Sequence, residues 1–216
     1  MNHRQAPPQF DSDFRAQLHQ LFAWRRDVRR FRTDPLPDGL LEQLIAKACL
    51  APSVGLSQPW RFVVVDDAAR RAAVIANFAV CNDAALNAYD SDRQALYARL
   101  KLEGLREAPC HLAVFVDETT PDGHGLGRRT MPEMLRYSAV AAVVQLWLAA
   151  RAEGVGMGWV SILDPDTVRR ALEVPGDWPL IGYFCLGYPE REDDRPELQQ
   201  QGWEGVRLPE SVILRR

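Results

Sequence analysis

Residues 25–32 read RRDVRRFR, five arginines within eight positions and one carboxylate, Asp27, in their midst. A guanidinium is a rigid fork of donors that stays charged, so it suits a phosphate or an enolate-like oxygen. If helical geometry persists here, Arg25 and Arg29 share one face at i, i+4, and Arg26 and Arg30 share another. The same run also reads as a solvated basic helix end, favoured by the C-terminal dipole. Asp27 is equally open. It is either a salt-bridge partner that spaces the arginines or a carboxylate placed to take a proton.

Two further segments carry polar groups where a ligand could use them. APSVGLSQPW (51–60) holds Ser53, Gly55, Ser57 and Gln58 in a turn between a helix end and a strand start. Backbone N–H groups, hydroxyls and an amide in so small a space suit a phosphate or the edge of a polar heterocycle, although turns are rich in Ser and Gly for local reasons too. GVGMGWVS (154–161) places glycines inside a strand, which lets a flat ligand or another backbone approach closely. Ser161 at its end offers a hydroxyl, or is a satisfied core serine.

Other chemistries lack their signatures. Neither GxGxxG nor GxxxxGK[ST] occurs, and no GxSxG elbow is present. The four histidines have no ligand spacing among themselves or with the cysteines, so no metal site is expected. A net charge of -3 over 216 residues argues against general affinity for nucleic acid or a membrane surface. The four scattered cysteines, with no CxxC pair, fit thiols in a reducing cytoplasm. The N-terminus lacks the apolar run of a signal peptide, and the apolar stretch around 139–150 is too short to span a bilayer.

The elements that must position these groups alternate irregularly. Residues 1–12 read as a flexible arm before one domain spanning 13–216. Helices are expected over about 13–26, 38–51, 68–78, 90–107 and 133–153, with a short one from Asp164 to about Leu172. Short β-branched runs at 59–67, 111–117, 155–163 and 180–188 read as core strands. Residues 118–132, rich in Gly, Pro and Thr, read as a long loop of the kind that often serves as a lid. The helix 133–153 is apolar nearly all round, so it is expected to be central or to form a dimer interface. This is an α+β pattern: a mixed central sheet with helices on both faces.

The order of these segments resembles the flavin-dependent nitroreductase superfamily. RRDVR (25–29), APSVGLSQPW (51–60), LKLEGLREAP (100–109), LGRRTMPEM (126–134), WLAARAEGVGMGWVSI (147–162) and PELQQQGW (196–203) are similar to its 5,6-dimethylbenzimidazole synthase branch. The resemblance implies a nitroreductase-like three-layer sandwich that works as a homodimer, with FMN at the subunit interface. It implies that reduced FMN, supplied by a separate flavin reductase, is consumed with O2. The products would be 5,6-dimethylbenzimidazole, the lower ligand of vitamin B12, and erythrose 4-phosphate. On this resemblance Arg25, Arg26, Asp27, Val28 and Arg29 line the flavin, with Asp27 as the proton acceptor. Ser161 is the second catalytic residue, set against the ring. Ser53, Gly55 and Gln58 add contacts from the opposite subunit, and Arg207 adds a phosphate contact. Loop 118–132 and helix 90–107 are the candidate lids. The alternative on the same fold is an NAD(P)H-dependent nitroreductase or flavin reductase. A protein that binds FMN without chemistry would need the arginines but neither Asp27 nor Ser161.

Overall fold

The computed structural model describes residues 6–216; the first five residues of the expected N-terminal arm lie outside the described residues. α1 (Ser12–Trp24) opens where the Asp11 carboxylate accepts the Phe14 N–H at 2.8 Å, an N-cap that satisfies one of the orphan donors of the first turn.

Four strands form one sheet in the order β1 (Trp60–Val64), β2 (Cys110–Val116), β4 (Leu180–Gly187), β3 (Gly156–Val160). All three pairings are antiparallel. Parallel pairing is confined, among the described residues, to an isolated bridge between Asp27 and Met157, which extends the sheet past the β3 edge. Side chains alternate across the sheet with the strand period of two. Leu112, Val114, Phe184 and Leu186 face α2 (Leu40–Ala48) and α5 (Met134–Ala152), whose Leu44, Ala48, Val143 and Leu146 complete that core. Ala113, Phe115, Tyr183 and Cys185 face α3 (Ala68–Asn87) and α6 (Pro165–Ala171), through Val74 and Val168. With both faces covered, apolar runs such as FVVV need not alternate with polar residues. The result is a three-layer α+β sandwich.

Three helices differ from their sequence reading. α3 runs on to Asn87, because nothing between Phe78 and Asp90 breaks it. α4 (Ser91–Tyr97) stops early, and residues 98–107 are irregular. A tertiary contact overrides their helical pattern: Gly104 lies so close beneath the Phe31 ring that a Cβ there would overlap it. α5 buries one face, while on the other Tyr137 is 55% and Val144 45% exposed. An apolar stripe of exposed Tyr137 and Val144 with half-buried Val140 and Leu148 is thus left open within this chain. No helix among the described residues is long and apolar enough to cross a membrane.

A buried polar pair lies in the core. His111, on β2, meets the Tyr183 hydroxyl through Nδ1 at 2.9 Å, and both are essentially inaccessible. Burial, and then the charge of Arg71, lower the His111 pKa from 6.5 to about 4, against a weaker pull from the Ala108 and Leu105 carbonyls. Between these two pH values the unfolded chain binds a proton that the folded chain refuses. Stability from this group is therefore complete above pH 6.5 and declines as pH falls toward 4. The loss is on the order of 3 kcal/mol. Urea unfolding from pH 7 to pH 4 should show a steeper decline for the wild-type chain than for His111→Asn. Parallel declines would contradict the buried neutral imidazole.

Candidate functional site

The arginine stretch is extended, not helical. Arg25 closes α1 by donating its N–H to Leu21 O at 3.0 Å, and its own φ and ψ of -70° and 113° are already those of a strand. From there the chain runs beside β3. The Val28 N–H donates to Met157 O at 3.1 Å, and Asp27 bridges Met157 in parallel. The helical pairing of Arg25 with Arg29 and of Arg26 with Arg30 is therefore replaced by an alternation of two.

The glycines of β3 make this docking possible. A Cβ on Gly156 would sit 2.8 Å from Val28 Cγ2, and one on Gly158 would overlap the Val28 carbonyl oxygen. Of the two uses open to glycines in this strand, close approach of another backbone is the one realised. Val28 thus seats the stretch on the sheet.

Asp27 is held from two sides. Its Oδ1 accepts the Trp159 N–H at 2.8 Å, and its Oδ2 accepts Nε and Nη2 of Arg29 at 2.9 and 2.8 Å. The third nitrogen of Arg29 donates to the Lys101 carbonyl at 3.1 Å. Every Arg29 nitrogen is therefore engaged inside the chain. Oδ1 accepts only one of these bonds and keeps a lone pair, and the Asp27 side chain remains 30% accessible.

The other arginines divide by partner. Arg30 pairs with Glu197 at 2.8 Å and Arg32 with Asp34 at 2.8 Å. Among the described residues Arg25 and Arg26 have no ion pair. The Arg25 guanidinium lies over the Trp147 ring, 4.8 Å from its centroid, and Trp147 Nε1 donates to the Arg26 carbonyl at 3.2 Å. Arg26 donates from Nη2 to Ala23 O, but its Nε is buried with no partner. Burial, and then the charge of Arg25, lower the Arg26 pKa, while Asp194 and Asp193 pull it the other way. Sequence reasoning missed Trp147. The signal was there, since an indole N–H inside an apolar helix needs an acceptor.

Ser161 follows β3 directly and is exposed. It lies two residues beyond Trp159, about 7 Å along the strand, and borders a cleft of about 90 Å³ with Trp159, Leu163, Pro165 and Ile181. A second cleft, of about 60 Å³, opens beside Arg26, Asp27, Arg29 and Arg30 and is bounded by Arg191 and Glu197. A far larger groove, about 590 Å³, runs along α1 past Phe14, Leu18, Leu21 and Trp24, but its lining offers less chemistry.

The 53–58 turn lies elsewhere in the same chain. Ser53 Oγ accepts the Gln58 N–H at 3.0 Å, and the Val54 N–H donates to Ser138 Oγ at 3.0 Å. Ser138 and Trp147 are nine residues apart on α5, about 14 Å along its axis. The turn and the arginines thus occupy opposite halves of that helix. The turn is strained: Leu56 and Gln58 have φ of 57° and 43°, and Gly55 is so close to loop 122–127 that a Cβ would sit 2.9 Å from Gly123 O. Left-handed non-glycine residues cost about 1–3 kcal/mol each and cluster at ligand sites. Ser57 Oγ is buried there without a partner. Arg207 is exposed and, among the described residues, forms no ion pair.

A sequence model of the nitroreductase family matches residues 22–188, which includes the arginine stretch, the 53–58 turn and β3. The chain belongs to the nitroreductase family. Within the family it is 57% identical over 208 residues to the 5,6-dimethylbenzimidazole synthase of Rhodospirillum rubrum, a match covering 96% of this chain and 98% of that one. It is 46% identical over 195 residues to the protein of the same name from Rhodobacter capsulatus, covering 90% and 94%. Among solved structures it resembles an iodotyrosine deiodinase bound to FMN and 3-iodo-L-tyrosine, with a TM-score of 0.67 and 26% identity over 82% of this chain and 91% of that chain.

In this nitroreductase-family chain the site depends on two glycines seating Val28. Gly158→Ala should cost about 1–3 kcal/mol, the usual cost of overpacking. Gly205→Ala, whose Cβ would meet nothing within 4 Å, should stay within about 0.5 kcal/mol of wild type. Urea unfolding checks both, and an unchanged midpoint for Gly158→Ala would contradict the docking described.

Proposed function

We propose that the chain is a 5,6-dimethylbenzimidazole synthase that consumes reduced FMN and O2 and releases 5,6-dimethylbenzimidazole and erythrose 4-phosphate. The observation that carries this reading is Asp27, an accessible carboxylate fixed by Trp159 N–H and Arg29 beside two arginines that, among the described residues, have no ion-pair partner. A simple reductase needs little beyond hydride and electron transfer at the ring. Cleaving the ring and the ribityl chain needs proton transfers, and a placed carboxylate supplies them.

The residues present fit FMN. The buried, unpartnered Nε of Arg26 lacks an acceptor that an anionic oxygen would provide, and Arg25 offers a free guanidinium fork. When bound, reduced FMN supplies the electrons for oxygen and the atoms of both products. Arg25 and Arg26 hold its anionic parts, while Val28 keeps this stretch on β3. Arg29 acts through Asp27, whose Oδ1 takes a proton on its free lone pair. Ser161 offers its hydroxyl from the end of β3. The clefts beside these residues are far smaller than the roughly 300–1,000 Å³ of a cofactor pocket, so a second copy completes the site. Its Ser53, Gly55 and Gln58 line the ligand, Arg207 adds a phosphate contact, and the open stripe on α5 supplies the homodimer interface. A separate flavin reductase provides reduced FMN, and the four free thiols suit a reducing cytoplasm.

The test is one incubation. The purified chain is mixed with chemically reduced FMN, air is admitted, and 5,6-dimethylbenzimidazole is sought by chromatography and mass spectrometry. Wild type should form it, and Asp27→Asn should lower the rate about 100-fold or more. Ser161→Gly should also reduce it. Flavin recovered intact from wild type would overturn the reading in favour of a reductase, assayed next with NAD(P)H and a nitro acceptor.

A further inference from the structure

The LKLEGLRE segment, residues 100–107, follows α4 without becoming a helix, although all of its residues but Gly104 are good helix formers. An ionic knot holds it in its irregular path. The Lys101 ammonium meets Glu107 Oε1 at 2.9 Å and Glu103 Oε1 at 3.4 Å. The second oxygen of Glu103 accepts the Leu105 N–H, and Leu105 and Gly104 are buried against the core beneath Phe31. The backbone carbonyl of that same Lys101 accepts from Nη1 of Arg29, whose other two nitrogens hold Asp27. The side chain that ties the knot and the carbonyl that aims Arg29 thus belong to one residue.

We infer that Lys101 is a positioning residue for Asp27, acting through its own carbonyl and Arg29. The inference rests on the function proposed for Asp27. It gives Arg29 a role at the carboxylate, through its Nε and Nη2. A lysine at this place does more than solubilise a loop: it is 24% accessible, enclosed by two carboxylates, and the loop it shapes supplies the one acceptor that Asp27 does not. If the knot loosens, Arg29 loses one of the two anchors of the pair and its Nε and Nη2 bonds to Asp27 open more often, while the Trp159 N–H remains the other anchor.

The test uses Lys101→Met, with Lys101→Arg as the conservative control. Glu107→Gln breaks the same knot from the other side, in case Lys101→Met folds poorly. Two readouts are taken on the full chain. The first, without flavin, is hydrogen exchange at the Arg29 Nε–H by ¹⁵N NMR, which Lys101→Met and Glu107→Gln should speed at least tenfold and Lys101→Arg should largely restore. The second is the ratio of 5,6-dimethylbenzimidazole formed to FMN recovered intact, which should fall at least tenfold in the same two variants, with oxidised-FMN affinity within about twofold of wild type. Unchanged Arg29 exchange and an unchanged ratio overturn the inference. So does a loss of product that only tracks a loss of FMN binding, which makes Lys101 merely structural. Faster Arg29 exchange in a chain whose wild type makes no product overturns the proposed function instead, and leaves the positioning of Arg29 supported.

Discussion

Everything at this site hangs on the docking of residues 27 and 28 against the glycine-bearing edge of β3. Two hydrogen bonds define it, Val28 N–H to Met157 O and Trp159 N–H to Asp27 Oδ1. Its reach is set by what β3 lacks, because side chains at 156 and 158 would push residue 28 away. Once docked, the stretch carries Asp27 to the sheet edge, Arg29 to the 100–107 segment and Phe31 onto Gly104. The sandwich supplies rigidity behind this edge: β3 is paired to β4, and β4 to β2, with helices on both faces.

The five arginines share a sequence but not a task. Charges near a protein interior need partners, and here the partners sort them. Arg30 and Arg32 are paired with Glu197 and Asp34 in ordinary ion pairs, which at this exposure contribute at most about 1 kcal/mol each. Arg29 holds Asp27 through Nε and Nη2 and the Lys101 carbonyl through Nη1. Arg25 and Arg26 are left, one over Trp147 and the other with an unsatisfied donor. The acid among the arginines pairs with Arg29 and is oriented by it, and on the function proposed above the neighbouring two are left for an anion.

The fold was legible where short-range pattern decides it. The runs at 59–67 and 111–117 are strands because β-branched residues fit a sheet covered on both faces. Asp164 followed by Pro165 opens α6 as a cap and first turn should. Where long-range contact decides, the pattern misled. Residues 98–107 read as helix, yet Gly104 beneath Phe31 and the Lys101 knot hold them irregular. The arginines read as a helix end, yet a backbone N–H 132 residues away claims Asp27. The types of residue at the site were legible, because guanidiniums, a carboxylate and glycines have few uses in that order. Which arginine is spent inside the chain was not, since that depends on the path of residues 100–107. Nor does one chain unite Ser53, Gly55 and Gln58 with the arginines, because α5 separates them.

The proposed function divides the labour, with Arg25 and Arg26 for the ligand and Arg29 for Asp27. A crystal structure of the chain with oxidised FMN tests it most directly. Arg25 and Arg26 should lie on the anionic parts of the flavin, with Arg29 still bonded to Asp27 and to the Lys101 carbonyl. Arg29 turned onto the phosphate, with Asp27 released, would contradict it.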